Sequence, residues 1–92
     1  MTTLNLGFNK ISDIKPISSL TNLTKLFLFN NQIVDIRPIA SLTNLTGLSL
    51  SDNQISDIRQ LAALTKLRGL FLDRNPVSEK VCPVKPETIC KF

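Results

Sequence analysis

The chain has 92 residues, 42% of them apolar and 20% charged, with eleven Lys/Arg against seven Asp/Glu for a net charge of +4. That length suits one domain with a modest core, and the composition excludes a disordered chain. With no apolar run near ~20 residues there is no membrane-spanning helix, and with no histidine the most versatile acid–base group and commonest metal ligand is gone.

The N-terminus, "MTTLNLGFNK", has neither a basic start nor an apolar signal core. Residues 1–22 open with "MTTLNLGFNKI". Leu4 and Leu6 are two apart and share one face of a short strand; Asn9 follows where the chain must turn. Ile11, Ile14, Ile17 and Leu20 then recur every three residues, the spacing of a 3-10 or tight helical turn with one inward edge. Asp13 precedes Pro16 by three, as in a capped turn entered through proline. Residues 23–44 repeat the plan in "LTKLFLFNNQI" and "VDIRPIASLTN", with Leu26, Leu28, Asn31, Ile33, Ile36, Ile39 and Leu42, and Asp35 ahead of Pro38. Residues 45–66 carry "LTGLSLSDNQI" and "SDIRQLAALTK", with Leu48, Leu50 and Asn53. Here Gln60 replaces the proline, and the helix-favouring "LAALTKL" predicts a looser or more helical turn.

Residues 67–81 begin a fourth copy, "LRGLFLDRNPV", with Leu70, Leu72 and Asn75. The period then breaks: "NPVSEKVCPVKPETICKF" holds Pro76, Pro83, Pro86 and both cysteines, so residues 76–92 read as a C-terminal cap. Cys82 and Cys90 either close a short loop as a disulfide, contributing roughly 2–3 kcal/mol in the chain-entropy model, or stay as two buried thiols. The disulfide is the preferred reading; it favours a secreted or periplasmic location. Two cysteines without histidine make no structural zinc site, and neither has an evident base to activate it.

The four runs stand 22 residues apart and fit L-x-x-L-x-L-x-x-N-x-L, the leucine-rich repeat pattern, with Met1, Ile and Val as apolar variants. The predicted fold is an α/β leucine-rich repeat solenoid forming one domain over residues 1–92. A short parallel β-sheet lies on its concave face and 3-10 or short helical turns on its convex face. The asparagines at 9, 31, 53 and 75 form a ladder that satisfies turn backbone groups. At the start, Met1 already fills the first leucine position, leaving Leu4, Leu6, Ile11 and Ile14 on an open end. That end belongs to a longer array, pairs with another chain, or tolerates exposure; the first is preferred. An unpaired edge strand at residues 3–7 favours association.

The copies "NLTKLFLFNNQIVDIRPIASL" and "NLTGLSLSDNQISDIRQLAAL" resemble the repeats of bacterial internalins and of phosphatase-regulatory leucine-rich repeat proteins. The ending "LFLDRNPVSEKVCPVKPETICKF" is similar to the C-terminal segment of cyanobacterial leucine-rich repeat proteins, which carry a leader and N-terminal cap that this sequence lacks. The resemblance implies a curved solenoid acting as a protein-recognition module.

Positions flanking the strand leucines point outward, in rows across the sheet. Between the leucines stand Asn5, Phe27, Ser49 and Phe71; next come Gly7, Phe29, Ser51 and Asp73. Phe8, Asn30, Asp52 and Arg74 precede the ladder, and Thr3, Lys25, Gly47 and Gly69 precede the leucines. Clustered exposed aromatics mark interaction sites. Phe27, Phe29, Lys25 and Asn30 form one candidate patch, and Phe71, Asp73 and Arg74 a second. Ser49, Ser51 and Asp52 make a polar saddle between them. Phe8 either joins the first patch or folds back into its turn, and Phe27 and Phe71 have a competing reading as plain strand formers. The expected function is a non-enzymatic module binding a protein or peptide on this face. The alternative is a structural repeat fragment that self-associates through its N-terminal end or completes a longer solenoid. The charges alternate along the chain, with Asp13, Asp35 and Asp57 each two residues before Lys15, Arg37 and Arg59, which argues against nucleic acid as the partner. No catalytic constellation, metal site or cofactor is expected. "NLT" at Asn22 and Asn44 matches a glycosylation acceptor only through the repeat itself.

Overall fold

A computed structural model describes residues 2–92; Met1, expected at the first leucine position, lies outside the described residues. Five parallel strands form one sheet in sequence order: β1 Thr2–Asn5, β2 Leu23–Phe27, β3 Gly47–Ser49, β4 Gly69–Phe71 and β5 Cys90–Lys91. Leu4, Leu26, Leu48 and Leu70 lie in register across the first four strands. The alternation is clean, with Leu26, Leu28, Leu48, Leu50, Leu70 and Leu72 all buried in the core. Past the strand ends the backbone ladder continues, with the amides of Leu6, Leu28 and Leu50 donating to the carbonyls of Phe27, Ser49 and Phe71 at 2.8–2.9 Å.

The opposite side is built from 3-10 turns at Lys15–Ser19, Arg37–Ser41 and Arg59–Ala63, stacked on one another. Ile17, Ile39 and Leu61 are their buried edges. The third turn departs from expectation. It has the same type and five-residue length as the other two despite Gln60, because stacking on its neighbour and burial of Ile58 and Leu61 override local propensity. The aspartates also act differently from caps. The residues preceding the turns are Ile14, Ile36 and Ile58, without side-chain capping bonds. Asp13, Asp35 and Asp57 instead accept the amide of the residue two further on at 3.0–3.1 Å, forming Asx turns that lead into the 3-10 segments.

The asparagine ladder is present. Asn53 Nδ2 donates to the carbonyls of Leu28 and Leu50, both at 3.0 Å, and its Oδ1 accepts the Ile33 amide at 3.1 Å. Asn31 and Asn75 make equivalent bonds. Just before each ladder asparagine the backbone enters the left-handed region, with φ of 58°, 55°, 58° and 59° at Phe8, Asn30, Asp52 and Arg74.

Both ends differ from the sequence-based picture. At the first repeat Ile14 is buried, while Leu4, Leu6 and Ile11 are partly covered and pack against the core. At the other end, the segment after Asn75 is more than an aperiodic cap: after a 3-10 turn at Glu87–Ile89 the chain returns to the sheet as β5, placing Lys91 beside Phe71. The Cys82 and Cys90 sulfurs are bonded at 2.09 Å, resolving the disulfide-or-thiol alternative in favour of the disulfide. The cross-link ties β5 to the loop that precedes it, and Val77 and Val84 from this region enter the core.

Candidate interaction surface

The outward row runs in register across the whole sheet as Asn5, Phe27, Ser49, Phe71 and Lys91. Lys91 was not evident from the sequence. Its only signal is the alternation in "ICKF" after the prolines, and the strand it marks falls 20 rather than 22 residues after β4.

The first patch is assembled, though less openly than expected. Phe27 and Phe29 are half-buried rather than fully exposed rings. The reason lies one strand away: Gly7 has no side chain, the Phe29 ring fills that space, and a Cβ on Gly7 would overlap it. Phe8 then meets Phe29 edge-on, with ring centroids 5.2 Å apart and planes at 87°, the arrangement favoured by aromatic quadrupoles. Phe8 itself does not fold into the turn; it is 76% exposed. It also holds a left-handed φ that a bulky residue adopts at some cost. Lys25 is exposed, and its stem leans toward Gly47, its Cγ 3.6 Å from where a Cβ on that glycine would stand. Asn30 is half-buried, its amide donating to the Ser51 carbonyl at 2.9 Å.

In the second patch Phe71 is 44% exposed and inclines toward Gly69, its Cε2 3.8 Å from a Cβ position there. Arg74 holds both acidic residues of this region, Nε on Asp52 Oδ1 at 2.6 Å and Nη1 on Asp73 Oδ2 at 2.9 Å. The guanidinium hydrogen bond keeps the Asp52 carboxyl below its usual range and raises Arg74 in return. Asp52 therefore stays ionised, the reverse of what a general acid needs. Ser51 Oγ donates to Asp73 Oδ1. The polar saddle requires correction: Ser49 and Ser51 are buried, 9% and 8% exposed, covered by the larger residues on the adjacent strands. The accessible polar groups here are Asp52, Asp73 and Arg74. Among the described residues no group of three or more His, Cys, Asp or Glu is placed to hold a metal ion, and no helix is long and apolar enough to cross a membrane.

A stacked parallel sheet with outward aromatic rows, an inward leucine lattice and an asparagine ladder defines a solenoid of leucine-rich repeats. Leucine-rich repeats in two copies match residues 1–41 and 43–85, and the chain belongs to that family. Among solved structures it is similar to internalin C2 of Listeria monocytogenes, with 40% identity over 97% of this chain and 39% of that one, TM-score 0.86. It is also similar to an internalin (inlF) of the same species, at 33% identity over 86% of this chain and 30% of that one, TM-score 0.73. The functional domain of InlJ, described as including a cysteine ladder, matches at 30% identity over 86% of this chain and 17% of that one, TM-score 0.78. The repeats are thus of the bacterial internalin type, and the chain spans well under half the length of these relatives. No curated protein sequence matches it.

Proposed function

We propose that this chain is a non-enzymatic recognition module that binds a protein or peptide segment on its concave face. Solenoids of this kind are typically interaction domains, because stacking creates an extended concave surface on a rigid backbone. The observation that carries the reading is the pair of aromatic features on one sheet face: Phe8 standing on Phe29, and Phe71 beside Lys91. The site residues are Lys25, Phe27, Phe29, Asn30, Asp52, Phe71, Asp73 and Arg74, joined by Phe8 through its contact with Phe29. Ser49 and Ser51 form the floor rather than the contact surface. Residues 1–22, 23–44, 45–66 and 67–81 serve as its repeat units, and residues 76–92 close its C-terminal end.

Five strands ~4.8 Å apart give a face roughly 20 Å wide, in a molecule 27 × 26 × 18 Å in extent. With strands of at most five residues at ~3.3 Å each, that face covers roughly 330 Å², less than the roughly 800 Å² per partner of a standard interface, so binding is weak or gains strength by avidity. The test is a random peptide library displayed on phage and panned on the purified chain. Binding of the selected peptides should be lost in a Phe8→Ser/Phe71→Ser variant whose thermal midpoint stays within a few degrees. Undiminished binding would refute the concave-face assignment.

A second reading is favoured by one feature of the first repeat. Leu20 is 43% exposed where its equivalents Leu42 and Leu64 are fully buried, and with Thr2, Leu4, Thr21 and Leu23 it borders a notch of about 390 Å³. This surface suits another repeat, from a longer solenoid or from a second chain. Light scattering across a hundredfold concentration range tests the second case; a constant monomer mass counts against it.

A further inference from the structure

We infer that the concave face selects an acidic segment with an apolar side chain at its centre, two carboxylates about four residues apart flanking it. This deepens the function proposed above and rests on it. The argument is one of uncompensated charge. Asp52 and Asp73 are the acidic groups near the strand ends, and both are engaged by Arg74, with Ser51 also donating to Asp73. Lys25 and Lys91, by contrast, are exposed and form no ion pair among the described residues.

These two lysines bracket the apolar centre of the face. Lys25 lies on β2 and leans inward over Gly47. Lys91 lies on β5, in register with Phe71, Ser49 and Phe27. Three strand spacings of ~4.8 Å across the sheet, with an offset of two residues along it, put their backbones roughly 16 Å apart. Four residues of an extended chain at ~3.4 Å each cover most of that distance, and the flexible lysine stems take up the remainder. Its middle side chain then falls between Ser49 and Phe71, where the Phe71 ring offers apolar contact, while carboxylates two positions either side reach the ammonium groups. Rim charges of this kind select partners and speed encounter more than they add affinity. They also reject basic segments, which place like charges together.

The same displayed library tests the inference, panned in parallel on the unaltered chain and on a Lys25→Glu/Lys91→Glu variant. The unaltered chain should enrich peptides with Asp or Glu about four residues apart around an aromatic or branched apolar residue. The variant should enrich Lys or Arg at those places. For one synthesised acidic peptide, fluorescence anisotropy should show a Kd weakened about tenfold in the variant, and weakening also as salt is raised. Circular dichroism should show the variant folded, since both lysines are exposed. If the selected peptides are neutral or basic at the flanks, or the variant selects the same sequences, the charge inference fails. The recognition function survives that result when Phe8→Ser/Phe71→Ser still abolishes binding. If no peptide is enriched, or enriched peptides ignore those phenylalanines, the recognition reading falls as well.

Discussion

Gly7 shows how a single missing side chain shapes the surface of this molecule. It does not need glycine's backbone freedom, since its φ is not in the left-handed region, and alanine at such a site ordinarily stabilises by about 0.4–1 kcal/mol. Here the added methyl overlaps the Phe29 ring, and overpacking typically costs about 1–3 kcal/mol. Gly7→Ala should therefore destabilise by about 1 kcal/mol in urea denaturation and separate Phe29 from Phe8, seen as loss of their mutual ring-current shifts. A gain in stability would show that the ring yields freely. Charge gives a second prediction at this scale. Asp35 accepts bonds from both the side chain and the amide of Arg37, which hold its carboxyl at about 2 rather than 3.8; Asp57 beside Arg59 is lowered in the same way. Since the folded value is depressed, the stabilisation is present above the ordinary carboxylate value and is lost as pH falls through about 2. Its size is small because both partners are exposed and screened. An NMR titration should place Asp35 near 2, and Arg37→Ala should return it toward 3.8.

At the scale of elements, the third 3-10 turn is the least optimised. Its geometry matches the first two, where Pro16 and Pro38 occupy the position of Gln60. The Gln60 Oε1 is buried without a hydrogen-bond partner. Gln60→Pro should stabilise by about 0.4–1 kcal/mol through the unfolded chain, raising the thermal midpoint by roughly 2–8 °C. No change would show that the turn at Arg59 resists the restriction proline places on its predecessor. The fifth strand yields the next prediction. β5 has only two residues, and the disulfide closing the loop from Cys82 to Cys90 supplies roughly 2–3 kcal/mol in the chain-entropy model. Cys82→Ser/Cys90→Ser should lower stability by about that amount and speed hydrogen exchange at Leu72, whose amide donates to Lys91 at 2.7 Å. These elements also show what the sequence makes legible. The first four strands, the ladder and the inward turn edges are readable because each recurs at a constant spacing of 22 residues. β5 is not, because it comes early and carries Cys90 where the others carry leucine. The half-burial of Phe29 and the covering of Ser49 are cross-strand effects. They depend on which residue faces which one repeat away, and they are visible only once the rows are aligned and side-chain sizes compared across them.

The whole molecule is a stack in which each repeat touches only its neighbours, so its stability is a sum of repeat and interface contributions. For 92 residues the total is on the order of 5–14 kcal/mol. The asparagine ladder is the polar part of the inter-repeat coupling, and its members are not equivalent. Asn53 is 7% exposed and its side chain links two repeats, donating to Leu28 and Leu50 and accepting from Ile33. Asn9 is exposed and donates only to Leu6 and Gly7 of its own turn. Replacing Asn53 by alanine leaves the buried Ile33 amide without a partner, worth about 1–3 kcal/mol of desolvation, while the Leu28 and Leu50 carbonyls each lose one donor but keep Asn31 and Asn75. The two lost carbonyl bonds add to that, for an expected total of about 3 kcal/mol. Asn9→Ala exposes its freed groups to water and should cost less than about 1 kcal/mol. Urea denaturation of the two variants should thus separate their midpoints clearly, with Asn53→Ala shifting the transition of the entire stack rather than producing a second, partial one. Equal costs at the two positions would mean that the ladder serves each turn locally and does not couple the repeats. A biphasic curve for Asn53→Ala alone would mean that the coupling across this joint rests mainly on that one side chain, whose loss divides the solenoid into two independently melting halves.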